Sequence, residues 1–185
     1  MPSTPAPRFT LLIDQITLRP VAAATLLRWC KAPQGLVLVS GPDGSGKTTT
    51  AYCCIAQIAT TASARIRTVE NELTHDLDGV EQCQIEPESS AQTLTALSDP
   101  KMDVLFVNGT PALWAHALDA AESGRLVFVQ VEADSADEAL AAFEQTTQRR
   151  VDPTLVGVVW QQVSIDPESG RRQAHYRFLS GALDR

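Results

Sequence analysis

The stretch GLVLVSGPDGSGKTTT, residues 35–50, decides the fold of this 185-residue chain. Residues 36–39 form an apolar run that reads as a buried strand, and residues 48–59 read as the helix that follows it. Between them Gly41-Pro42-Asp43-Gly44-Ser45-Gly46-Lys47-Thr48 carries the spacing of glycine, four residues, then Gly-Lys-Thr. Glycines let the backbone turn tightly, so that successive N–H groups point at a polyphosphate beside a helix N-terminus. Lys47 places a charge against the outer phosphates. Thr48 offers a hydroxyl to Mg²⁺, a hard cation that keeps some waters and leans on substrate oxygens. The expected ligand-binding set is therefore Gly41, Pro42, Asp43, Gly44, Ser45, Gly46, Lys47, Thr48 and Thr49, with Thr48 as the Mg²⁺ ligand.

Outward from this loop, strand and helix patterns alternate. Toward the N-terminus, Pro20 suits the first position of a helix running to about Lys31, with Leu26, Leu27, Trp29 and Cys30 on its apolar face. Residues 1–7 hold three prolines and read as a mobile arm; residues 1–17 are set apart from a domain spanning 18–185. On the other side, residues 65–69 and 82–85 read as extended, and Ser89 or Ser90 caps a brief helix through Ala96. Residues 103–107 form a compact apolar run closed by Asn108-Gly109. Thr110-Pro111 opens a helix ending by Gly124, and a strand over 126–131 follows. Ser135 and Glu138 spell a capping box. Residues 158–165 and 172–179 flank the turn signal Asp166-Pro167-Glu168-Ser169-Gly170 and predict a terminal hairpin. This order implies an α/β fold, a mainly parallel sheet with helices on both faces, whose ligands sit beyond the carboxyl ends of the strands.

Composition narrows the function. A chain 44% hydrophobic over 185 residues buries one substantial core. A net charge of −7 disfavours nucleic acid and anionic lipid, which reward clustered positive charge. Arg149-Arg150 and Arg171-Arg172 are pairs suited to solvated surface. The four cysteines show no Cys-x-x-Cys spacing, so reduced, buried thiols are expected rather than zinc. The chain starts with no signal-peptide pattern, and no apolar run has the length to span a bilayer, so a cytoplasmic protein without membrane insertion is expected.

Residues 34–52 resemble the secretion ATPases that drive type II secretion and type IV pilus assembly or retraction. The likeness continues in order through Thr68-Val69-Glu70-Asn71-Glu72 (that family's Asp box), residues 77–85, residues 99–108 (its Walker B strand), residues 123–128 (its His-box strand) and residues 155–162 with the hairpin after them. The resemblance implies a P-loop, RecA-like domain that binds ATP or ADP with Mg²⁺. It also implies sites lying between subunits, hence a homo-oligomer or a hetero-oligomer with a secretion or pilus ATPase. No guanine-reading Asn/Thr-Lys-x-Asp motif or arginine-rich kinase lid is present.

The departures from the family pattern are as informative. Its Walker B strand ends in Gly-Glu, and the glutamate acts on the attacking water or the Mg²⁺ shell; this chain has Asn108-Gly109. The His-box histidine falls on Glu132, the arginine expected just after Walker B on Pro111, and the Asp-box aspartate on Asn71, leaving Glu70 as the retained acid and candidate catalytic residue. The four-cysteine zinc segment of the assembly branch is missing, and these 185 residues are expected to hold the core domain without the family's N-terminal domain. Three functions follow: a nucleotide-binding subunit with impaired hydrolysis and a structural or regulatory role; a working ATPase that uses Glu70 or a partner subunit's residues; or an interaction module that keeps the loop as a relic. Glu132 and Asp134 read as acids at a helix start. His75, His116 and His175, and Trp29, Trp114 and Trp160, read as surface or packing residues.

Overall fold

Strands β1 (Gly35–Gly41), β4 (Val104–Asn108) and β5 (Leu126–Glu132) are almost wholly buried, as expected of central parallel strands covered by helices on both faces. The computed structural model describes residues 6–16, 19–85, 90–167 and 170–184, with backbone only for 90–92. With β2 (Ile66–Glu70), β3 (Val80–Gln84), β6 (Leu155–Ile165) and β7 (Arg172–Ser180), the strands form one seven-stranded sheet in the order β3-β2-β4-β5-β1-β6-β7. All neighbours run parallel except β6 and β7, the antiparallel terminal hairpin.

Side-chain alternation sends each central strand into two cores. On one face Leu36, Leu38, Leu105, Val107, Val127 and Val129 meet α3 (Ser90–Ser98), α4 (Trp114–Glu122) and α5 (Ala136–Thr147) through Leu97, Leu118 and Phe143. On the other, Val37, Val39, Phe106 and Phe128 meet α1 (Pro20–Trp29) and α2 (Lys47–Thr61) through Leu26, Trp29, Tyr52 and Ile55. Trp29 lies edge-on to Phe178, and Trp114 stacks on Phe143. The third tryptophan, Trp160, donates its indole N–H to the Ala133 carbonyl.

Local signals act with small corrections. Helix α1 begins at Pro20 but stops at Trp29, because Lys31 and Ala32 turn back onto the Arg28 and Trp29 carbonyls ahead of Pro33. The helix expected from Thr110 opens as a 3-10 turn, Pro111–Leu113, before α4. Of the Ser135/Glu138 box only half forms: Ser135 Oγ accepts from the Glu138 N–H, while the Glu138 carboxylate reaches the N–H of Asp134. Strand β6 begins at Leu155, earlier than its alternation implies, because its first residues are buried on both sides. The Ser89 cap and the centre of the hairpin turn, Glu168-Ser169, lie outside the described residues, as do residues 1–5 and 17–18. Among the described residues, no helix is long and apolar enough to cross a membrane.

The largest correction concerns the N-terminal segment. Residues 8–16, assigned from sequence to the arm, pack into the domain, so a boundary at residue 17 does not separate them from the core. Phe9 N–H donates to the Asp76 carbonyl at 2.8 Å, Asp76 N–H to the Pro7 carbonyl at 2.9 Å, and the Phe9 ring meets Tyr52 and His75 edge-on. Ile13 has no exposed surface. The pattern was hard to read because Asp14 and Gln15 interrupt the apolar residues within a short 3-10 turn. Truncating Ile13 to Ala should lower unfolding free energy by about 2–5 kcal/mol, the usual cost of such a cavity. Chemical denaturation checks this; a loss under about 0.5 kcal/mol, the range of a surface substitution, would restore the detached arm.

Candidate nucleotide-binding site

The loop leaving β1 is shaped by what lies against it. Gly41 has φ +148°, and a Cβ there would stand 2.1 Å from the Gln161 carbonyl oxygen of β6, so only glycine fits. Gln161, itself 1% exposed, donates from Nε2 to the Ser45 carbonyl at 2.7 Å and holds the loop from the side. Within the loop, Ser45 N–H donates to the Pro42 carbonyl and Gly44 N–H to Asp43 Oδ1. Gly46, left-handed at φ +86°, is the N-cap of α2. The helix ladder starts with Thr50 N–H on the Gly46 carbonyl at 3.1 Å. The first-turn amides of Lys47, Thr48 and Thr49 therefore have no acceptor inside the helix and stand at its positive end.

Lys47 is buried and donates from Nζ to the Pro42 carbonyl at 2.8 Å. Burial pushes its pKa below the ordinary lysine value, and the nearby carboxylates of Glu132 and Asp43 oppose that shift. Among the described residues, the Pro42 carbonyl is the hydrogen-bond acceptor for this ammonium. Thr48 Oγ1 donates to Gln130 Oε1 of β5 at 3.0 Å, while Thr49 is exposed. The structure thus brings Gly41 through Thr49 together in one cradle with the geometry that the spacing implies.

The groups facing this cradle come from the carboxyl edge of the sheet. Strand register pairs Gln130 with Val39 and Asn108 with Glu70, and Asn108 lies one residue beyond the last β4–β5 pair, Val107 with Val129. Gln130, Asn108 and Glu70 therefore form a lateral row on the α2 side. Two members are neutral amides. Glu70, the acid, does not stand beside the loop as expected; β4 and β5 intervene, which places it about 10 Å from Gln130 at the usual spacing between strands. It is fully buried, and Tyr52 Oη donates to its Oε2 at 2.8 Å. Burial raises its pKa, with Thr68, Tyr52 and Asn108 opposing, and its Oε1 has no hydrogen-bond partner among the described residues.

At the end of β4, Gly109 presents no side chain. A Cβ there would stand 2.7 Å from Leu113 Cδ1 and 3.4 Å from Asn71 Oδ1. Glu132 is exposed and pairs laterally with Gly41, and Asp134 is also exposed. Asp103 lies at the opposite edge of the sheet, where its carboxylate accepts from Arg65 N–H at 2.8 Å. Among the described residues no three His, Cys, Asp or Glu side chains cluster to hold a metal. A set in which the Thr48 hydroxyl is joined by phosphate oxygens and water is the kind Mg²⁺ accepts.

Sequence reading assigned no role to Gln130 or Gln161. Gln130 breaks the apolar run 126–131, and Gln161 with Gln162 ends the apolar start of β6; those breaks were the available signal.

A family model described as "Type II/IV secretion system protein" matches residues 5–175. Type II secretion system protein HxcR of Pseudomonas aeruginosa is 30% identical over 151 residues, covering 79% of this chain and 31% of that protein. The protein transport protein HofB homolog of Escherichia coli is 32% identical over 140 residues, covering 72% and 30%. Among solved structures, the pilus retraction motor PilT with bound ADP superposes with a TM-score of 0.81 at 27% identity, covering 95% of this chain and 55% of that one. The Legionella pneumophila ATPase DotB shares the fold, with a TM-score of 0.79 at 17% identity over 95% and 52% of the two chains. This chain spans less than a third of the two curated relatives.

Two stability effects follow from Glu70. Tyr52→Phe removes the hydrogen bond to a buried carboxyl and should cost about 1–3 kcal/mol. Folded Glu70 holds its proton more tightly than the unfolded chain does, so its contribution is fully present below the ordinary carboxyl pKa and is lost as pH rises through the raised value. Glu70→Gln should flatten that part of the pH–stability curve, as measured by denaturant titrations at a series of pH values; an unchanged slope would count against the buried, protonatable carboxyl.

Proposed function

The chain belongs to the type II/IV secretion system protein family, and from that premise we propose that it binds ATP or ADP on residues 41–49 and turns nucleotide over slowly or not at all. Its role is then structural or regulatory: a cytoplasmic subunit that assembles with itself or with an active secretion or pilus ATPase. The single observation that carries this reading is an anion cradle facing a lateral row, Gln130, Asn108 and Glu70, whose one carboxyl is buried; the exposed Glu132 lies beside Gly41, next to Lys47, and reads as its charge partner. Transfer of a phosphoryl group to water depends on positioning and charge stabilisation, with a side chain to orient the attacking water. Asn108 and Gln130 can hold a water but take no proton from it, Gly109 has no side chain, and Glu70 is sealed under Tyr52. Binding needs none of these groups.

Bound Mg²⁺ would supply positive charge to the phosphate oxygens. Thr48 is the residue that would hold it, releasing Gln130 to do so. Lys47, freed from the Pro42 carbonyl, pairs with the phosphates.

The competing reading is a working ATPase that relies on Glu70, and it is favoured by that residue's raised pKa and unpartnered Oε1. The two readings separate experimentally. Calorimetric titration with ADP or ATP should show binding that Lys47→Ala abolishes, while phosphate release by the natural chain stays near background. Gly109→Glu, whose Cβ would meet the flexible end of the Leu113 side chain, should raise phosphate release about 10²–10⁴-fold, the usual contribution of such a group. Brisk turnover by the natural chain that Glu70→Gln removes would establish the working ATPase instead. A ligand at 100 times its Kd adds about 2.7 kcal/mol to stability; no such gain with any nucleotide would point to a nucleotide-independent interaction module.

A further inference from the structure

The terminal hairpin reaches past the end of β1 and leaves the sheet with an open edge. The last residue of β6 paired with β1 is Trp160, residues 161–165 pair only with β7, and β7 has no strand on its far side among the described residues. Asp166 N–H donates to the Arg171 carbonyl at 2.9 Å, and Gly181 N–H to the Val156 carbonyl at 2.8 Å. These two bonds fix the phase of the ladder. The odd-numbered residues of β7 bond to β6, so the N–H and C=O groups of Arg172, Ala174, Tyr176, Phe178 and Ser180 point outward. Such a row is a template for another extended chain.

A cavity of about 490 Å³ runs beside this edge. Arg19, Val21 and Ala22 bring the start of α1 to it, Phe178 the α2-side face of the sheet, and Trp160 and Arg177 the opposite face, so the cavity wraps the edge. Val21 is 79% exposed there, an apolar side chain left in water. A smaller cavity, about 330 Å³, lies between the phosphate loop, the N-terminal segment and the α2-side face of the hairpin.

Charge selects what can dock. Arg19, Arg172 and Arg177 are exposed, and the ion pairs formed among the described residues use none of them. The Arg177 guanidinium instead lies 5.9 Å from the centre of the Trp160 ring. No residue of β7 is acidic, although the chain as a whole carries a net charge of −7. Two copies of this edge would set like charges against each other, which keeps them apart. Opposite charge is free to approach.

We propose that the free edge of β7 takes an extended acidic segment of a partner protein as an added strand. Main-chain hydrogen bonds to the outward groups supply affinity, and side-chain contacts on the two faces supply choice. Alternation puts one set of the partner's side chains toward Val21 and Ala22 and the other toward His175 and Arg177, so the fitting sequence alternates apolar and acidic residues. Arg19 and Arg172 add positive charge along the same path. The phosphate loop contributes nothing to this cavity, so docking here does not depend on nucleotide.

The probes are end-capped, fluorescein-labelled peptides, Glu-Val-Glu-Val-Glu-Val and Lys-Val-Lys-Val-Lys-Val, titrated with the full chain and followed by fluorescence anisotropy. The acidic peptide should bind and the basic one should not. Ala174→Pro removes an outward N–H while leaving the β6 ladder whole, and it should weaken the acidic peptide about tenfold. Arg177→Glu, which changes charge and leaves the backbone alone, should weaken it by a similar factor. A fully N-methylated acidic peptide, unable to donate to a strand, should not bind. Equal binding of the two charged peptides, binding of the N-methylated peptide as tight as its parent, or no binding of the acidic peptide at about 1 mM would overturn the proposal. So would self-association of the chain alone that Ala174→Pro dissolves, because the edge would then belong to a second copy.

Discussion

The constraint on which the site depends is the close approach of the β6 backbone to the end of β1. The Gln161 carbonyl occupies the space where a side chain on residue 41 would begin, and the Gln161 amide grips the Ser45 carbonyl. A strand far along the chain therefore fixes the path of the loop, and the path in turn leaves the first amides of α2 without internal partners. The same contact anchors β6 where it starts to overhang, so the hairpin projects beside the loop and the N-terminal segment packs against both. Loop geometry, the reach of the hairpin and the cavity between them share this origin.

Electrostatics set what the site can do. Lys47 is a buried cation whose partner is one carbonyl oxygen, with Glu132 and Asp43 near enough to oppose the loss of its proton. That environment favours an arriving polyanion, because the charge is already desolvated and the helix end adds to it. Across from it, the sheet edge offers amides at Gln130 and Asn108, bare backbone at Gly109 and, beside Gly41, the exposed carboxylate of Glu132. Binding and hydrolysis ask for different things from the two sides of such a site. Glu70 serves the core: its bond from Tyr52 ties α2 to β2, at the cost of holding a carboxyl out of water.

Much of this was open to sequence reading, for definite reasons. The loop and its flanking strand and helix depend on local chemistry, glycine freedom beside an apolar run, and they stand where expected. The hairpin and the alternating order likewise follow from periodicity and turn residues. What escaped was non-local. Gln161 and Gln130 read as ordinary polar residues in strands until register set them against Ser45 and Thr48. Glu70 was expected beside the loop because β2 is the next strand in sequence, yet β4 and β5 separate the two. Phe9 and Ile13 looked like part of an arm because their burial depends on α2 and on Asp76, far away in the chain.

The residues alone determined that a glycine-rich loop joins a buried strand to a helix, that the scaffold alternates strand and helix, and that glycine rather than glutamate follows the fourth strand, because each of these is written in neighbouring positions. Only the tertiary structure decided which side chains face the cradle, how far the retained acid lies from it and what encloses the space beside it. Strand order and lateral register bring together residues up to a hundred and more positions apart, and neither is encoded within any short window of sequence.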